Sequence, residues 1–233
     1  MNRPSLRKRI SAEALGTGFL VAAVVGSGIM GERLAGGNVA IALLANTIAT
    51  GSALVALIST FGPVSGGHFN PAVTLAEAME GGISWRDALA YIAGQCFGGV
   101  VGTAVAHFMF GLPWYSLSTH VRHGWAIALS EFVASFGLLC VIWGCSRTRP
   151  ALVPFAVASY ITAAYWFTAS TSFANPAVTI ARSVSDTFSG IRPVDAPRFI
   201  VAQFAGALCA TLVFRWLVPK QPPLSNAEPA HSL

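Results

Sequence analysis

Two asparagines carry most of the chemistry this sequence offers. Asn70 opens the string Asn70-Pro71-Ala72-Val73-Thr74, and Asn175 opens the same five residues again, Asn175-Pro176-Ala177-Val178-Thr179, 105 positions later. Asparagine caps a helix N-terminus well, and proline fits the first helical turn because its missing N–H would have no partner there. Each string therefore predicts the start of a short helix. A helix start presents free backbone N–H groups and the positive end of a dipole, and the asparagine amide adds side-chain donors. Two such starts brought together would offer hydrogen bonds to small polar molecules and oppose cations. Two acids accompany them. Glu13 and Glu131 each fall inside a long apolar run. A carboxylate there is costly unless satisfied. Backbone N–H groups of the stretches before the two asparagines are natural partners, and snorkelling of the acids to an interface is the competing reading. His68 stands two residues before Asn70.

The elements that must position these groups follow from composition. The chain has 233 residues, 54% of them hydrophobic and 10% charged, with a mean hydropathy of +0.63. Soluble domains carry about 25% charged residues, so this chain has too few to cover a globular surface. Several apolar runs approach or exceed the ~20 residues that cross a bilayer. The expected partner is therefore a lipid bilayer. The net charge of +5 does not point to nucleic acid, because the cations flank apolar runs, which is a topology signal. Cys96, Cys140, Cys145 and Cys209 lie within apolar spans without metal-ligand spacing, so they read as small core residues. No metal and no cofactor are expected.

Taken in order, residues 1–9 form a basic start, 10–218 one membrane domain, and 219–233 a polar tail. Spans are expected at about 10–30, 39–60, 85–110, 125–145, 151–169 and 196–218. The short helices after Asn70 and Asn175 are too short to cross a bilayer. The order repeats itself, with repeat one at about 10–110 and repeat two at about 125–218. Beyond the two asparagine strings, Ala12-Glu13-Ala14 matches Ser130-Glu131-Phe132, and Ile92 to Gln95 matches Ile200 to Gln203. Three spans per repeat is an odd number, so the second repeat must enter the membrane in the opposite sense. With a cytoplasmic amino terminus, nine Lys and Arg fall inside and five outside, which supports both termini in the cytoplasm. Non-helical backbone at membrane depth survives only when buried in protein or lining a watery cavity. The stretches before the two asparagines are such backbone, and the inverted symmetry brings them together near the midplane. A path walled by their carbonyls and two positive dipole ends suits small neutral solutes and excludes cations, protons included.

Two Asn-Pro-Ala boxes on six spans, with Ser65-Gly66-Gly67-His68-Phe69 before the first and a glutamate in spans one and four, resemble the aquaporin and aquaglyceroporin (major intrinsic protein) family over about residues 10–218. The resemblance implies an all-α membrane protein of six transmembrane helices plus two re-entrant half-helices, an inverted 3+3 repeat. It also implies one pore per protomer, a homotetramer, and an NPA constriction formed by Asn70, Pro71, Ala72, Asn175, Pro176 and Ala177. The family has a second constriction outward of these boxes, the aromatic/arginine filter. Ungapped counting from each asparagine puts its four positions at Thr50, Ala163, Ser172 and Val178, with neither an aromatic nor an arginine. Val178 stands where the family keeps the arginine. Small residues widen the opening, and the loss of arginine removes a fixed cation and a rigid fork of donors.

The strings from Thr168 to Arg182 and from Ser185 to Ile191 are similar to bacterial aquaglyceroporins of arsenic-resistance operons, the AqpS type, in which a valine likewise replaces the filter arginine. That implies a bacterial inner-membrane channel for arsenite, antimonite and methylated arsenicals with glycerol and water. A general glycerol or small-solute facilitator without an arsenic role is the alternative. Arg182, one turn after Val178, shares its helix face. Helical side chains lean toward the N-terminus, so Arg182 is a candidate for the outer vestibule. Snorkelling, or pairing with Asp186, is the bland alternative. An active transporter would share inverted repeats, but the spans hold few ionisable groups beyond the two acids for ion coupling. An enzyme is not expected: there is no nucleophile, base and orienter set and no phosphate-binding glycine loop.

Overall fold

A computed structural model describes residues 4–218; the polar tail expected at 219–233 and the first three residues of the basic start lie outside the described residues. Among the described residues, six helices are long and apolar enough to cross a membrane. They are α1 (Leu6–Leu34), α2 (Val39–Ser65), α4 (Trp85–Met109), α5 (Trp125–Thr148), α6 (Val153–Phe167, continuing a 3-10 turn at Pro150–Leu152) and α8 (Ala196–Leu217). Two short helices follow the repeated strings, α3 (Pro71–Met79) and α7 (Pro176–Ser183). Asn70 and Asn175 cap them as predicted: the side chain of Asn70 accepts from the N–H of Ala72, and that of Asn175 from those of Ala177 and Val178.

The boundaries differ from the sequence reading in one informative place. The second span was expected to stop near residue 60, before the Gly/Pro stretch, yet α2 continues to Ser65 with Pro63 inside it. Pro63 sits in the last turn, where few helical bonds remain to be lost. The real stop is Gly66, at φ 98°, whose N–H bonds back to Gly62. A left-handed residue of this kind commonly closes a helix, and glycine adopts it without strain.

The starts of α1 and α4 and the ends of α5 and α8 share one face, here the terminal face. Arg9 of α1 pairs with Asp87 of α4 at 2.7 Å. The Glu80 carboxylate, just past α3, accepts from Arg147 of α5 at 2.9 Å and from Arg215 of α8 at 2.5 Å. Glu80 was expected only to end the half-helix; it also ties it to two spans. The opposite, distal face carries the loop 110–124, folded onto the end of α7 through Ser116 N–H to Val184 O and Ser118 N–H to Ser183 O, both at 3.0 Å.

Within each repeat the first and third spans touch backbone to backbone. A Cβ built on Gly98 of α4 would stand 2.1 Å from the carbonyl oxygen of Ala14 in α1, and one on Gly102 would stand 2.2 Å from that of Gly18. In the second repeat a Cβ on Gly206 of α8 would stand 2.4 Å from the carbonyl oxygen of Phe132 in α5. Small residues permit this approach where lipid supplies no hydrophobic drive between helices. Large apolar side chains such as Phe19, Phe97 and Leu89 point outward and are mostly exposed, as expected when lipid is the solvent.

Candidate functional site

The two re-entrant segments are locked together at their tips. Asn70 Nδ2 donates to Ala174 O at 2.7 Å, and Asn175 Nδ2 donates to Phe69 O at 2.8 Å. One donor of each amide is thus used in holding the opposite segment. The acceptors belong to strained residues, for Phe69 and Ala174 both sit at φ 47°; nearby, Thr171 and Ser172 sit at φ 62° and 48°. Non-glycine residues rarely adopt this region, and it persists only where surrounding bonds over-determine it.

At Phe69 and Ala174 the over-determination comes from the two buried acids. Glu13 Oε1 accepts from Ser65 Oγ at 2.6 Å and from the N–H of His68 at 3.0 Å, while Oε2 accepts from the N–H of Phe69 and from Gln95 Nε2, both at 2.7 Å. Glu131 repeats the arrangement in the other half. Its Oε1 accepts from the N–H of Phe173 at 2.9 Å, and Oε2 from the N–H of Ala174 at 2.9 Å and Gln203 Nε2 at 2.6 Å. Both carboxylates are 0% exposed, so the interface alternative does not hold. Phe69 and Ala174 are therefore gripped from both sides, N–H by a glutamate and carbonyl by an asparagine. Gln95 and Gln203 already stood out as a repeat match; their use as partners of the acids needed the fold.

A cavity of about 620 Å³ runs past these tips. It reaches from Arg182 at the distal end, past Asn175 and Asn70, to Ser146 and Pro150 at the terminal end. His68 lines it on the terminal side, its Nδ1 3.0 Å from Thr74 Oγ1. Thr50, Ser172 and Val178 line it on the distal side. Ala163 does not. It lies on the exposed face of α6, and the cavity is met instead by Ile161 and Tyr165. Residues two apart on a helix point to nearly opposite sides, whereas residues four apart share a face. An ungapped count over an irregular loop therefore chose the wrong face. Tyr165 also corrects the expectation of a distal wall without an aromatic, for its hydroxyl lies 3.3 Å from Thr50 Oγ1. The fifth-span signal for it was the pair Ile161 and Tyr165, at helical spacing.

Arg182 neither snorkels nor pairs with Asp186. It is 2% exposed, lies against the Phe173 ring with its guanidinium carbon 3.3 Å from the centroid, and donates through Nε to Ser189 O. Asp186 accepts instead from the N–H and hydroxyl of Thr119, at 2.8 and 3.0 Å. A second arginine, unremarked in the sequence, completes the distal end. Arg122 of the loop donates through Nε to Gly190 O at 2.8 Å and through Nη1 to Ser170 O at 3.1 Å. A lone cation in a polar loop gives no sequence signal of such a place. Burial pushes the Arg122 guanidinium below its ordinary value.

Asp195 anchors this brace. It accepts from the N–H of Arg122 at 3.0 Å and from Arg192 Nε at 3.0 Å. Burial raises its pKa, but the Arg192 side chain and the Arg122 N–H outweigh that and hold it below the ordinary 3.8. A depressed carboxylate pKa contributes stability that is complete above the unfolded value and is lost as pH falls through the folded one. Amide hydrogen exchange across residues 116–124 is therefore expected to stay flat from pH 7 to 5, after correction for the intrinsic rate, and to accelerate only below about pH 4. An Asp195→Asn protein should show the fast exchange at all these pH values.

The family model described as major intrinsic protein matches residues 1–165 and again 125–232. The chain is 54% identical over 230 residues, 98% of each chain, to a protein of Rhizobium meliloti (strain 1021) named Aquaglyceroporin AqpS. It is 30% identical over 231 residues to Aquaporin A of Dictyostelium discoideum, covering 92% of this chain and 80% of the other. Among solved structures, the aquaglyceroporin from Plasmodium falciparum superposes with a TM-score of 0.69 at 18% identity, over 92% of this chain and 98% of that one. At that identity the likeness shows the fold alone.

Proposed function

Because the chain belongs to the major intrinsic protein family, the family of the aquaporins and aquaglyceroporins, we propose that it is a passive channel for small uncharged solutes: water, glycerol, and the hydroxides of arsenic and antimony with methylated arsenicals. The observation that carries this reading is the continuous cavity of about 620 Å³ that passes both asparagines and is walled at its distal end by Thr50, Ser172 and Val178. Asn70 and Asn175 form the midplane constriction, where two helix N-termini meet and oppose cations. Val178 offers a short apolar wall at the position where an arginine would reach across. His68 contributes a donor on the terminal side.

One further observation supports a metalloid solute. Trivalent arsenic is thiophilic, and none of Cys96, Cys140, Cys145 and Cys209 lines the cavity. A solute of that kind passes without being trapped. The 54% identical relative is itself named an aquaglyceroporin, which supports polyol-sized solutes. The positive-charge distribution supports a bacterial inner membrane with the terminal face toward the cytoplasm. The lipid-facing exposure of the outer helices is compatible with a homotetramer, in which each protomer keeps its own pore.

Swelling of proteoliposomes with graded solutes tests the reading. Water, glycerol and arsenous acid at neutral pH should all pass without saturation and without a coupling ion. Val178→Arg should lower glycerol and arsenous acid flux by about tenfold or more while water flux persists. Passage of water by the native chain with exclusion of both larger solutes would overturn the proposal. Passage of glycerol with exclusion of arsenous acid would leave the general facilitator.

A further inference from the structure

We infer that Arg182 is the cation-excluding residue of the distal constriction, acting from one turn beyond Val178, and that its Nη1 and Ser172 Oγ together form the subsite that takes an oxygen of a neutral polyol or hydroxide. The inference deepens the channel reading above and rests on it.

The charge comes first. Arg182 makes no ion pair among the described residues. Glu131 of α5 has both oxygens engaged by the N–H groups of Phe173 and Ala174 and by Gln203. The other cation at this end, Arg122, is spent on the carbonyls of Gly190 and Ser170 and adds to the positive field. At neutral pH the guanidinium is charged. An unpaired guanidinium in the wall of a narrow path raises a barrier to any cation that enters.

The donors come next. Nη1 of Arg182 and Oγ of Ser172 are both buried and without a hydrogen-bond partner, and both residues line the same cavity. Buried polar atoms in native proteins are rarely left unpaired, so each of these calls for an explanation. Something that passes through the cavity and carries oxygen supplies it. Nη1 donates only, and Oγ both donates and accepts. That pair matches a hydroxyl group, which accepts from the first and exchanges a hydrogen bond with the second. The guanidinium is fixed for the purpose by the Phe173 ring and by Ser189 O.

The repeat gives independent support. The position on α3 that corresponds to Arg182 is Glu77, and it lines the same cavity near its terminal end. Both half-helices therefore turn this position toward the path, with opposite charges at the two ends. Setting the cation at residue 182 leaves the wall at 178 short. A bulkier solute then passes a barrier that still repels charge.

The full-length chain in proteoliposomes tests this, with glycerol flux read by light scattering and proton leak read by an internal pH dye under an imposed potential. Glycerol passage by the native chain tests the channel reading alone. Arg182→Gln tests the inference: the ratio of proton leak to glycerol flux should rise at least tenfold. In Val178→Arg/Arg182→Leu the proton leak itself should return to within about threefold of the native value, since the double variant restores a cation one turn inward. An unchanged ratio in assembled Arg182→Gln would overturn the inference while leaving the channel reading intact. If Arg182→Gln fails to assemble, Arg182→Met, which keeps the apolar stem, takes its place. Failure of both to give a monodisperse species on gel filtration would also overturn the inference, since it would assign Arg182 to the fold rather than to the path.

Discussion

Replacing Glu13 by leucine is expected to cost on the order of 4 kcal/mol, because each orphaned donor costs about 1–3 kcal/mol and several are left at once. Ser65 Oγ, the N–H groups of His68 and Phe69, and Gln95 Nε2 all donate to this one carboxylate. Glu13 itself is 0% exposed. The damage does not stay local. Phe69, at φ 47°, is held by Glu13 on its N–H and by Asn175 on its carbonyl. Once the first grip is lost the left-handed backbone has little reason to persist, and the carbonyl that Asn175 uses swings away. Glu131→Leu should cost about 1 kcal/mol less, since three donors rather than four meet that carboxylate. The double variant should fall short of the sum, because the crossed asparagine bonds couple the sites. In detergent the heat-unfolding midpoint of Glu13→Leu should drop by roughly 10 °C, using about 2–4 °C per kcal/mol for a chain of this size, and its water permeability should be lost. A Glu13→Leu protein that melts with the native one and still conducts would show that the acids do not hold the re-entrant segments.

Much of this arrangement was legible in the residues. The two Asn-Pro-Ala strings predicted two capped half-helices, and both formed where expected, because capping chemistry is local and acts over three or four residues. The six spans were legible for the same kind of reason, since length and hydropathy alone decide what crosses lipid. The link from Glu13 and Glu131 to the re-entrant backbone also followed, from the cost of an unsatisfied carboxylate in an apolar run. What failed needed a rotation angle or a long-range contact. Ala163 and Tyr165 are two residues apart, yet one is exposed on α6 and the other meets the cavity. Counting back from Asn175 cannot see that difference across an irregular loop. Arg182 was placed on the correct face of its helix, but the Phe173 ring that keeps it from the interface comes from the segment before α7. Arg122 was invisible because its partners, Gly190 and Ser170, lie 68 and 48 residues away. The strained φ values at Phe69, Thr171, Ser172 and Ala174 could not be read at all. No residue type there favours them, and only the surrounding bonds impose them.

The second large effect is expected at residues with no chemistry. Gly98→Ala adds one methyl group whose carbon would lie 2.1 Å from the carbonyl oxygen of Ala14. That atom belongs to the α1 backbone, so no side-chain rotation relieves the clash, and the two helices must move apart by more than 1 Å to reach ordinary contact. Overpacking a tight core costs about 1–3 kcal/mol and occasionally more; a backbone–backbone clash belongs at the upper end. Separation also spoils function, because Gln95 is one turn from Gly98 on α4 and reaches across to Glu13 at 2.7 Å. A shift of 1 Å turns that bond into none. Gly98→Ala should therefore behave as a milder Glu13→Leu, with a midpoint lowered by roughly 6–12 °C for about 3 kcal/mol. Gly206→Ala, 2.4 Å from Phe132 O, should do the same through Gln203 and Glu131. Gly144→Ala is the control. Its new methyl group would meet only Phe214 at 3.6 Å, ordinary contact, and alanine is the better helix former by about 1 kcal/mol. It should melt no lower than the native chain. Equal loss at Gly144 and Gly98 would mean that helix flexibility, not the close approach of the first and third spans, is what these glycines supply.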